Sequence, residues 1–307
     1  MTQITFIGLG TMGAPMVARL VSAGHNVAVS DAAPDVAARV AAETGARVAA
    51  DSDLGRSEVV VLMLPNSDIV ASVLGTADDA ESMASRLAPG ALVVDMGSSR
   101  PDATRGHADD LATRGVTLID APVSGGPRRA ATGELAIMVG VPDDAAWDRV
   151  RPLLGALGSS MTRTGPVGSA HAVKALNNLL SVIGIVGAIE VLSVGTKFGL
   201  DPRVMLDVIN HSTGRNHATE VKIGPQVLDR EWNVGFSLGL TVKDVTTAQR
   251  LAESVGVAIP VSDSAVEVAR AALASFDGAA ADQSQIAQYL ESVNGVALGT
   301  TDKKDLL

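Results

Sequence analysis

Residues 165–198 constrain the fold more than any other stretch, because they read as one long apolar helix. Gly165 and Pro166 can open a helix and Gly199 can close it. About 30 residues at about 1.5 Å each give a rod of roughly 45 Å, which is long enough to span two domains. After Leu179 the rod is apolar almost all round, so it must be buried in a core or a subunit interface.

The polar residues of this helix lie in its first turns. His171, Lys174 and Asn178 are spaced by three and four residues and therefore share one face. Burial among apolar groups disfavours the charged form of a lysine and favours a neutral amine that accepts a proton. Lys174 and Asn178 are accordingly the candidate catalytic residues. The alternative is that Lys174 lies at the helix surface with its amine in water.

The N-terminal residues predict a dinucleotide-binding site. A β-rich run at residues 4–7 enters a glycine turn, an apolar helical pattern follows, and a second strand ends at Asp31, 18 residues after Gly13. Glycines in such a turn allow a tight bend, close approach to a pyrophosphate and close helix packing. A turn with a purely structural role is the alternative. The predicted cofactor contacts here are Gly8, Leu9, Gly10, Thr11, Met12, Gly13 and Asp31.

Asp31 predicts which cofactor is used. Its carboxylate would accept hydrogen bonds from the adenosine ribose hydroxyls and would repel a 2′-phosphate. No Arg or Lys follows before Arg39, so NAD is predicted rather than NADP. The other interpretation of Asp31 is an N-cap for a helix that begins at Asp35.

Strand and helix patterns continue to alternate, which predicts a Rossmann-like α/β domain over residues 1–164. Residues 58–64 form a near-continuous apolar run, typical of a parallel strand that is buried on both faces. Ligands bind at the carboxyl ends of such strands. Leu64, Pro65 and Ser98 are therefore further predicted cofactor contacts.

The loop at residues 121–127 is rich in glycine and proline, and we expect no regular structure in it. Consecutive backbone N–H groups in such a turn can bind an anion, and the hydroxyl of Ser124 adds a donor. Ser124, Gly125 and Gly126 are thus candidate substrate-binding residues. The alternative is a tight turn that leads into a strand at residues 134–140.

After residue 199 the sequence is expected to be all helical. With the long helix, at about residues 168–198, it would form a second domain over residues 165–307. Helical spacing or length predicts the further helices, and a polar tail follows them. The predicted helices are 201–211, 218–230, 238–256, 260–276 and 282–292, and the predicted tail is 295–307.

Composition excludes several classes of partner. The 34 acidic and 24 basic residues give a net charge of −10 without a basic run, so neither nucleic acid nor an anionic membrane is expected as a partner. Glu190 and scattered glycines argue against a membrane span in the long helix. There is no cysteine and the five histidines show no ligand pattern, so no metal is predicted. Nothing indicates export, and a cytoplasmic location is expected.

Four motifs, in one order, resemble the β-hydroxyacid dehydrogenase family, whose members include 3-hydroxyisobutyrate dehydrogenase, tartronate semialdehyde reductase and 6-phosphogluconate dehydrogenase. The resemblance implies a Rossmann-like domain, then an all-α domain through which subunits pair as a homodimer or homotetramer. The motifs are GLGTMGAPM at residues 8–16, DAPVSGGPRRAATGELAIMVG at 120–140, GPVGSAHAVKALNN at 165–178, and Phe236 with Lys243 and Asp244.

The resemblance also implies roles for individual residues. Lys174 would be the general acid/base, and Phe236 and Lys243 would close over the nicotinamide end of the cofactor. His171 does not occupy a catalytic position of the family, so core packing or a cofactor contact is expected for it. The carboxylate and hydroxyl of the substrate would be held by Ser124, Gly125, Gly126 and Asn178.

The predicted function is NAD-dependent hydride transfer between a short 3-hydroxy acid and its semialdehyde. Decarboxylating family members carry a glutamate about two turns beyond the lysine, where this chain has Ser181, so no decarboxylation is expected. Two alternatives remain: an NADPH-linked reductase of tartronate, succinic or a sulfonated semialdehyde, and a non-catalytic nucleotide-sensing protein. Candidate pocket residues for a second anionic group, or equally surface residues, are Arg128, Arg129, Arg215, Asn216 and His217.

Overall fold

The computed structural model describes residues 1–276 and 281–299. The chain divides into two compact units, Met1–Lys174 and Ala175–Leu307. The division falls inside the long helix, which therefore contributes residues to both units. The boundary expected between residues 164 and 165 precedes that helix and stays a prediction.

A largely parallel sheet forms the centre of the first unit. In the described part of the chain the order of its strands is β3-β2-β1-β4-β5-β6-β8-β7, and β9 pairs with β8. β8 pairs antiparallel with β6 and with β7, and parallel with β9. The strands are β1 (Gln3–Ile7), β2 (Asn26–Ser30), β3 (Arg47–Val48), β4 (Val59–Leu62), β5 (Leu92–Asp95), β6 (Thr117–Asp120), β7 (Val123–Ser124), β8 (Leu135–Gly140) and β9 (Gly158–Gly165).

The central parallel strands are buried on both faces of the sheet. Every residue of β4 is buried, as the apolar run at residues 58–64 predicted, and so is every residue of β5. Helices cover both faces. The run β3-β2-β1-β4-β5-β6 is the order of the Rossmann fold, so the predicted fold is confirmed. The helices of this unit are α1 (Gly13–Ser22), α2 (Pro34–Thr44), α3 (Ser67–Leu74), α4 (Met83–Arg86), α5 (Pro101–Ala112), α6 (Gly126–Thr132) and α7 (Asp144–Gly155), with a 3₁₀ helix at Asp51–Arg56.

The second unit is helical throughout its described residues. Its core is built on the long helix α8, whose Val182, Ile185, Ile189 and Leu192 pack with apolar residues of the later helices. The helices are α8 (Ser169–Phe198), α9 (Pro202–Asn210), α10 (His217–Val221), α11 (Leu238–Ser254), α12 (Pro260–Ala274) and α13 (Ile286–Asn294), with a π-helix at Ile223–Leu228 and a 3₁₀ helix at Gln283–Gln285.

Helix α8 is confirmed as a single rod, but it is not covered on all sides. Leu180, Val191, Val194 and Phe198 are 69%, 53%, 71% and 83% exposed. Their spacing of 11, 3 and 4 residues places them on one face. The helix is long and apolar enough to cross a membrane, yet half of its most apolar window is buried within the chain. One face therefore belongs to a core and the other is open in the single chain.

Two segments differ from the sequence-based expectation in the first unit. Gly165, expected to open the long helix, instead closes the strand β9, which lies beside β8, and α8 begins at Ser169. The loop at residues 121–127, expected to be irregular, contains β7 and the start of α6. Its two-residue strand is held by backbone pairing with β8, a non-local contact that composition does not reveal.

The helix expected at residues 218–230 is also different. It is two pieces: the short helix α10 and the π-helix, which meet at Lys222. The remaining predicted helices are present with shifted ends. Of the polar tail expected at residues 295–307, residues 300–307 lie outside the described part of the chain.

Candidate functional site

The glycine turn lies between β1 and α1, and the space available for a side chain differs at each of its glycines. Gly8 has a φ of +97°, and a Cβ there would collide with the carbonyl oxygen of Met63. A Cβ at Gly13 would collide with the carbonyl oxygen of Gly8. A Cβ at Gly10 would meet nothing within 4 Å, so the backbone is open there. Helix α1 begins after Met12 without a side-chain cap, which suits a bound phosphate.

Asp31 follows β2 and reaches back to the glycine turn. Its Oδ2 accepts a hydrogen bond from the backbone N–H of Leu9 at 2.7 Å, and its Oδ1 accepts one from Ala33 at 3.0 Å. The N-cap of α2 is Ala33, not Asp31, so the capping interpretation is wrong. The carboxylate is half-buried beside the turn, where the sequence predicted a cofactor contact.

The structure brings one strand-end candidate directly to this turn. A Cβ at Gly8 would lie 3.1 Å from the side chain of Leu64, and one at Gly97 would lie 2.5 Å from the Leu64 carbonyl oxygen. Leu64 thus connects the glycine turn with the loop after β5. Ser98 is half-buried in that loop, and Pro65 is exposed.

A buried carboxylate anchors the start of α8. Asp120, at the carboxyl end of β6, is fully buried, and its two oxygens accept hydrogen bonds from the backbone N–H groups of Gly168 and His171 at 2.8 and 2.9 Å. The His171 ring is 1% exposed and its Nδ1 lies 2.8 Å from the hydroxyl of Thr104. Its Nε2 lies 3.9 Å from Asp95. His171 therefore packs in the core beneath the lysine-bearing face.

Lys174 lies one turn beyond His171 on the same face. It is half-buried in the single chain, whereas the sequence suggested a lysine buried among apolar groups. Exposure on this face rises from the buried His171 to the half-buried Lys174. Lys174 is thus neither a fully solvated surface lysine nor a core residue.

The candidate anion loop has two backbone conformations that only glycine adopts readily. Gly125 has a φ of +135° and Gly126 a φ of +69°. A Cβ at Gly125 would lie 2.7 Å from the Cδ of Arg129, whereas one at Gly126 would meet nothing within 4 Å. Ser124 is half-buried on β7. The loop therefore presents backbone N–H groups beside a hydroxyl.

In the second unit, a buried carboxylate joins two predicted site residues. Asp244 is 2% exposed; its Oδ2 accepts a hydrogen bond from the Asn178 amide at 2.6 Å, and its Oδ1 lies 2.9 Å from the Lys243 ammonium. Asn178 is on α8 and Asp244 on α11, 66 residues apart. The sequence named Asn178 and Lys243 as site residues but gave Asp244 no role, although its place beside Lys243 was a usable signal.

Phe236 lies just before α11 and is half-buried. Its carbonyl oxygen accepts a hydrogen bond from the backbone N–H of Gln283 at 2.8 Å. Gln283 is 5% exposed, and its side-chain oxygen accepts a hydrogen bond from Lys222 at 2.8 Å. Sequence reasoning named neither Gln283 nor Lys222.

The five candidate pocket residues have varied surroundings. Arg215 lies 3.5 Å from Glu220 in an exposed pair. Asn216 caps α10 by accepting from two backbone N–H groups, which is a structural role. His217, Arg128 and Arg129 are exposed.

A cavity of about 320 Å³ lies elsewhere, at the amino ends of β1 and β2. Arg47 and Asp53 line it. Ligands of doubly wound sheets bind at the carboxyl ends of the strands, so this cavity is on the wrong edge to be the cofactor site. In the described ranges no three His, Cys, Asp or Glu residues are grouped to hold a metal ion.

Two domain families match the chain. Residues 3–165 match the NAD-binding domain of 6-phosphogluconate dehydrogenase, and residues 168–290 match the NAD-binding family of NADP-dependent 3-hydroxyisobutyrate dehydrogenase. Together they cover the glycine turn, the loop after β6, helix α8 and the Lys243–Asp244 pair.

Similar proteins extend over almost the whole chain. 2-(Hydroxymethyl)glutarate dehydrogenase of Eubacterium barkeri is 33% identical over 96% of this chain and 97% of its own. The NAD-dependent L-serine dehydrogenase of Pseudomonas aeruginosa is 35% identical over 88% and 92%. The structure of Mycobacterium tuberculosis 3-hydroxyisobutyrate dehydrogenase with L-serine has a TM-score of 0.85 and 31% identity, covering 94% of this chain and 99% of that one.

Proposed function

The chain belongs to the β-hydroxyacid dehydrogenase family, and from this premise we propose that it oxidises a short 3-hydroxy acid to its semialdehyde with Lys174 as the acid/base. It is an NAD-dependent oxidoreductase. One observation supports the proposed catalytic roles most directly. Lys174 and Asn178 lie one turn apart on α8, and the buried Asp244 orients Asn178.

The first unit fits a dinucleotide. A pyrophosphate would lie against the open backbone at Gly10 and the uncapped start of α1. The ribose would be bound by the Asp31 carboxylate beside Leu9. When bound, NAD supplies a nicotinamide ring that accepts the hydride. Asp31 supports NAD over NADP because a carboxylate repels a 2′-phosphate.

Lys174 moves the proton. Its amine takes the proton from the substrate hydroxyl as the carbon loses hydride, and in the reverse direction the ammonium returns it to the developing alkoxide. In the oxidation the amine must be neutral to accept this proton.

Asn178 and the loop after β6 orient the substrate. The hydrogen bond to Asp244 fixes the Asn178 amide before substrate arrives, which lowers the entropic cost of alignment. Ser124, Gly125 and Gly126 supply a hydroxyl and backbone donors for the carboxylate.

The relatives support a 3-hydroxy acid as substrate. By their names they act on 2-(hydroxymethyl)glutarate and on L-serine, and each compound carries a hydroxymethyl group on the carbon next to a carboxylate. Ser181 stands where decarboxylating members carry a glutamate, so the product should keep all its carbons. Mass analysis of the product would check this.

Replacing Lys174 with alanine tests the assignment. We expect turnover to fall by about 10²- to 10⁴-fold, the usual scale of acid/base catalysis, while NAD affinity measured by calorimetry is retained. Lys197→Ala, at the exposed far end of α8, is the matched control and should behave as the unmodified enzyme. Equal turnover in Lys174→Ala and Lys197→Ala would show that Lys174 is not the base.

We further propose that the enzyme is a cytoplasmic homodimer or homotetramer. The exposed apolar face of α8 supports self-association, because soluble proteins rarely leave such a row uncovered. Use of NAD, an intracellular cofactor, supports the location, which fractionation would check.

A further inference from the structure

His171 is a buried polar residue to which the proposed reaction gives no part. Its side chain is fully buried and lies between two buried carboxylates. Nε2 is 3.9 Å from Oδ2 of Asp95, at the carboxyl end of β5, and Nδ1 is 3.9 Å from Oδ2 of Asp120, at the carboxyl end of β6. The ring therefore packs where two neighbouring strands end beneath the first turn of α8.

A third contact, with helix α5, fixes how the ring is bound. Nδ1 of His171 lies 2.8 Å from the hydroxyl of Thr104. That hydroxyl has one hydrogen, which it donates to the carbonyl oxygen of Arg100 at 3.0 Å. The hydrogen-bond network thus assigns a hydrogen to Nδ1, which donates it to Thr104. Since Nε2 has no hydrogen-bond partner among the described residues, the directional bond of the ring is the one to Thr104.

This bond leads to the loop after β5. Arg100 is the N-cap of α5 and stands at the end of that loop. The loop is further fixed by Asp95, whose two oxygens accept from the backbone N–H of Gly97 at 2.9 Å and from the hydroxyl of Ser99 at 2.7 Å. Ser98, a predicted cofactor contact, lies between these two anchored residues. The ring is therefore connected to a loop that is expected to touch NAD.

His171 is held on α8 through its main chain as well. Its backbone N–H donates to the buried Asp120 at 2.9 Å. Lys174 follows three residues later, on the same face of the helix and in the same compact unit. A rotation of this turn about the helix axis would move Lys174 and break the bond to Thr104 at the same time.

We propose that His171 is a positioning residue of the oxidation. Through Thr104 it ties the first turn of α8 to the start of α5 and to the loop after β5, and so sets where Lys174 lies relative to bound NAD. This inference rests on the proposed roles of Lys174 and of the NAD site. It gives His171 no contact with substrate or cofactor, because its side chain is fully buried.

The test removes this tie in two ways and measures kcat at saturating NAD. The substrate is L-serine or 2-(hydroxymethyl)glutarate, whichever the unmodified enzyme oxidises. His171→Leu should lower kcat by about 10- to 100-fold, because a small displacement of a catalytic group costs that much. KM for the acid should change by less than about 3-fold, since Ser124 and Asn178 stay in place. Thr104→Val should lower kcat by about 3- to 10-fold, the value of one hydrogen bond.

Two further variants separate positioning from general stability. His171→Asn has an amide N–H that can donate to Thr104 as Nδ1 does, so its kcat should exceed that of His171→Leu by at least about 3-fold. Leu111→Ala is the control, because Leu111 is 1% exposed and lies about two turns along α5 from Thr104. It should lower the unfolding temperature and leave kcat unchanged.

Thermal unfolding shows which variants are folded, and Thr104→Val decides the question if His171→Leu does not fold. Equal kcat in Thr104→Val and the unmodified enzyme, or in His171→Leu and Leu111→Ala, would overturn the role of His171 while the oxidation of 3-hydroxy acids stands. Inactivity of the unmodified enzyme on both acids would overturn the proposed function itself, and this inference with it.

Discussion

We predict that Asp31 controls the choice between NAD and NADP. It holds the glycine turn through Leu9 and presents its charge where a ribose is expected. Replacing it with serine removes the repulsion of a 2′-phosphate. We expect the ratio of kcat/KM for NAD over NADP to fall by about 10- to 100-fold. Asp31→Asn, which keeps an acceptor for Leu9, separates the loss of charge from the loss of the turn contact. An unchanged ratio in both variants would contradict the assignment.

Asp53 gives the first unit a contribution to stability that depends on pH. The side-chain hydrogen bond from Arg47, at 2.8 Å to Oδ1, is the main reason that the pKa of Asp53 lies below its ordinary value of 3.8. A carboxyl whose pKa is lowered on folding stabilises the protein above the unfolded-state pKa and loses this effect as the pH falls through the folded-state value.

Asp53→Asn should therefore lower the free energy of unfolding by about 1–3 kcal/mol at pH 7. The difference from the unmodified protein should shrink as the pH falls below about 3.8. Urea unfolding at several pH values measures it. A difference that is the same at pH 7 and pH 3 would show that the effect is not electrostatic.

Site residues were predictable where the signal is local in sequence. Gly8, Gly13 and Asp31 stand in one strand–helix–strand unit, so their spacing alone indicated a nucleotide site. Asp244 and Lys222 are hydrogen-bonded to partners 66 and 61 residues away, namely Asn178 and Gln283. No spacing rule brings such pairs together, and only packing shows them.

Among the elements, α8 depends on how its first turn is held. Asp120 is buried and accepts from two backbone N–H groups at the start of the helix. Asp120→Asn keeps the shape but turns one acceptor into a donor that faces an N–H. We expect unfolding to cost about 2–4 kcal/mol less, and turnover to fall because Lys174 follows one turn later.

Asp143→Asn is the matched control for this variant, since Asp143 caps α7 through Ala146 on the protein surface. It should leave both stability and turnover nearly unchanged, because the Asn side-chain oxygen caps a helix about as well as that of Asp. Thermal unfolding measures the stability of the Asp120→Asn and Asp143→Asn variants, and steady-state rates measure their turnover. If Asp120→Asn were less stable but fully active, the anchor would be structural only.

Elements were predictable where periodicity is strong. The apolar strands β4 and β5 and the rod α8 were expected for that reason. Strand β9, GSSMTRTG, is mostly exposed and lacks an apolar alternation, so nothing local marks it as a strand. The π-helix arises because Ile223, Val227 and Leu228 all reach the core, a requirement of packing and not of propensity.

At the scale of the whole molecule, the open face of α8 predicts self-association. Light scattering should give a mass of about two or four times 31.2 kDa. Phe198, 83% exposed on that face, is the place to disrupt it, and Phe198→Glu should shift the protein toward lighter species. Val48→Glu, at an exposed residue of β3, is the control. A monomeric unmodified protein at micromolar concentration would contradict the prediction.

The placement of Lys174 and Asn178 on a single helix has an evolutionary consequence. In the proposed roles, the amine that exchanges a proton and the amide that orients the hydroxyl are carried by one helix, so the helix geometry sets their spacing and both are inherited together. Because the helix sets that spacing, we expect substitutions outside α8 to alter substrate preference more readily than they alter the distance between these two side chains.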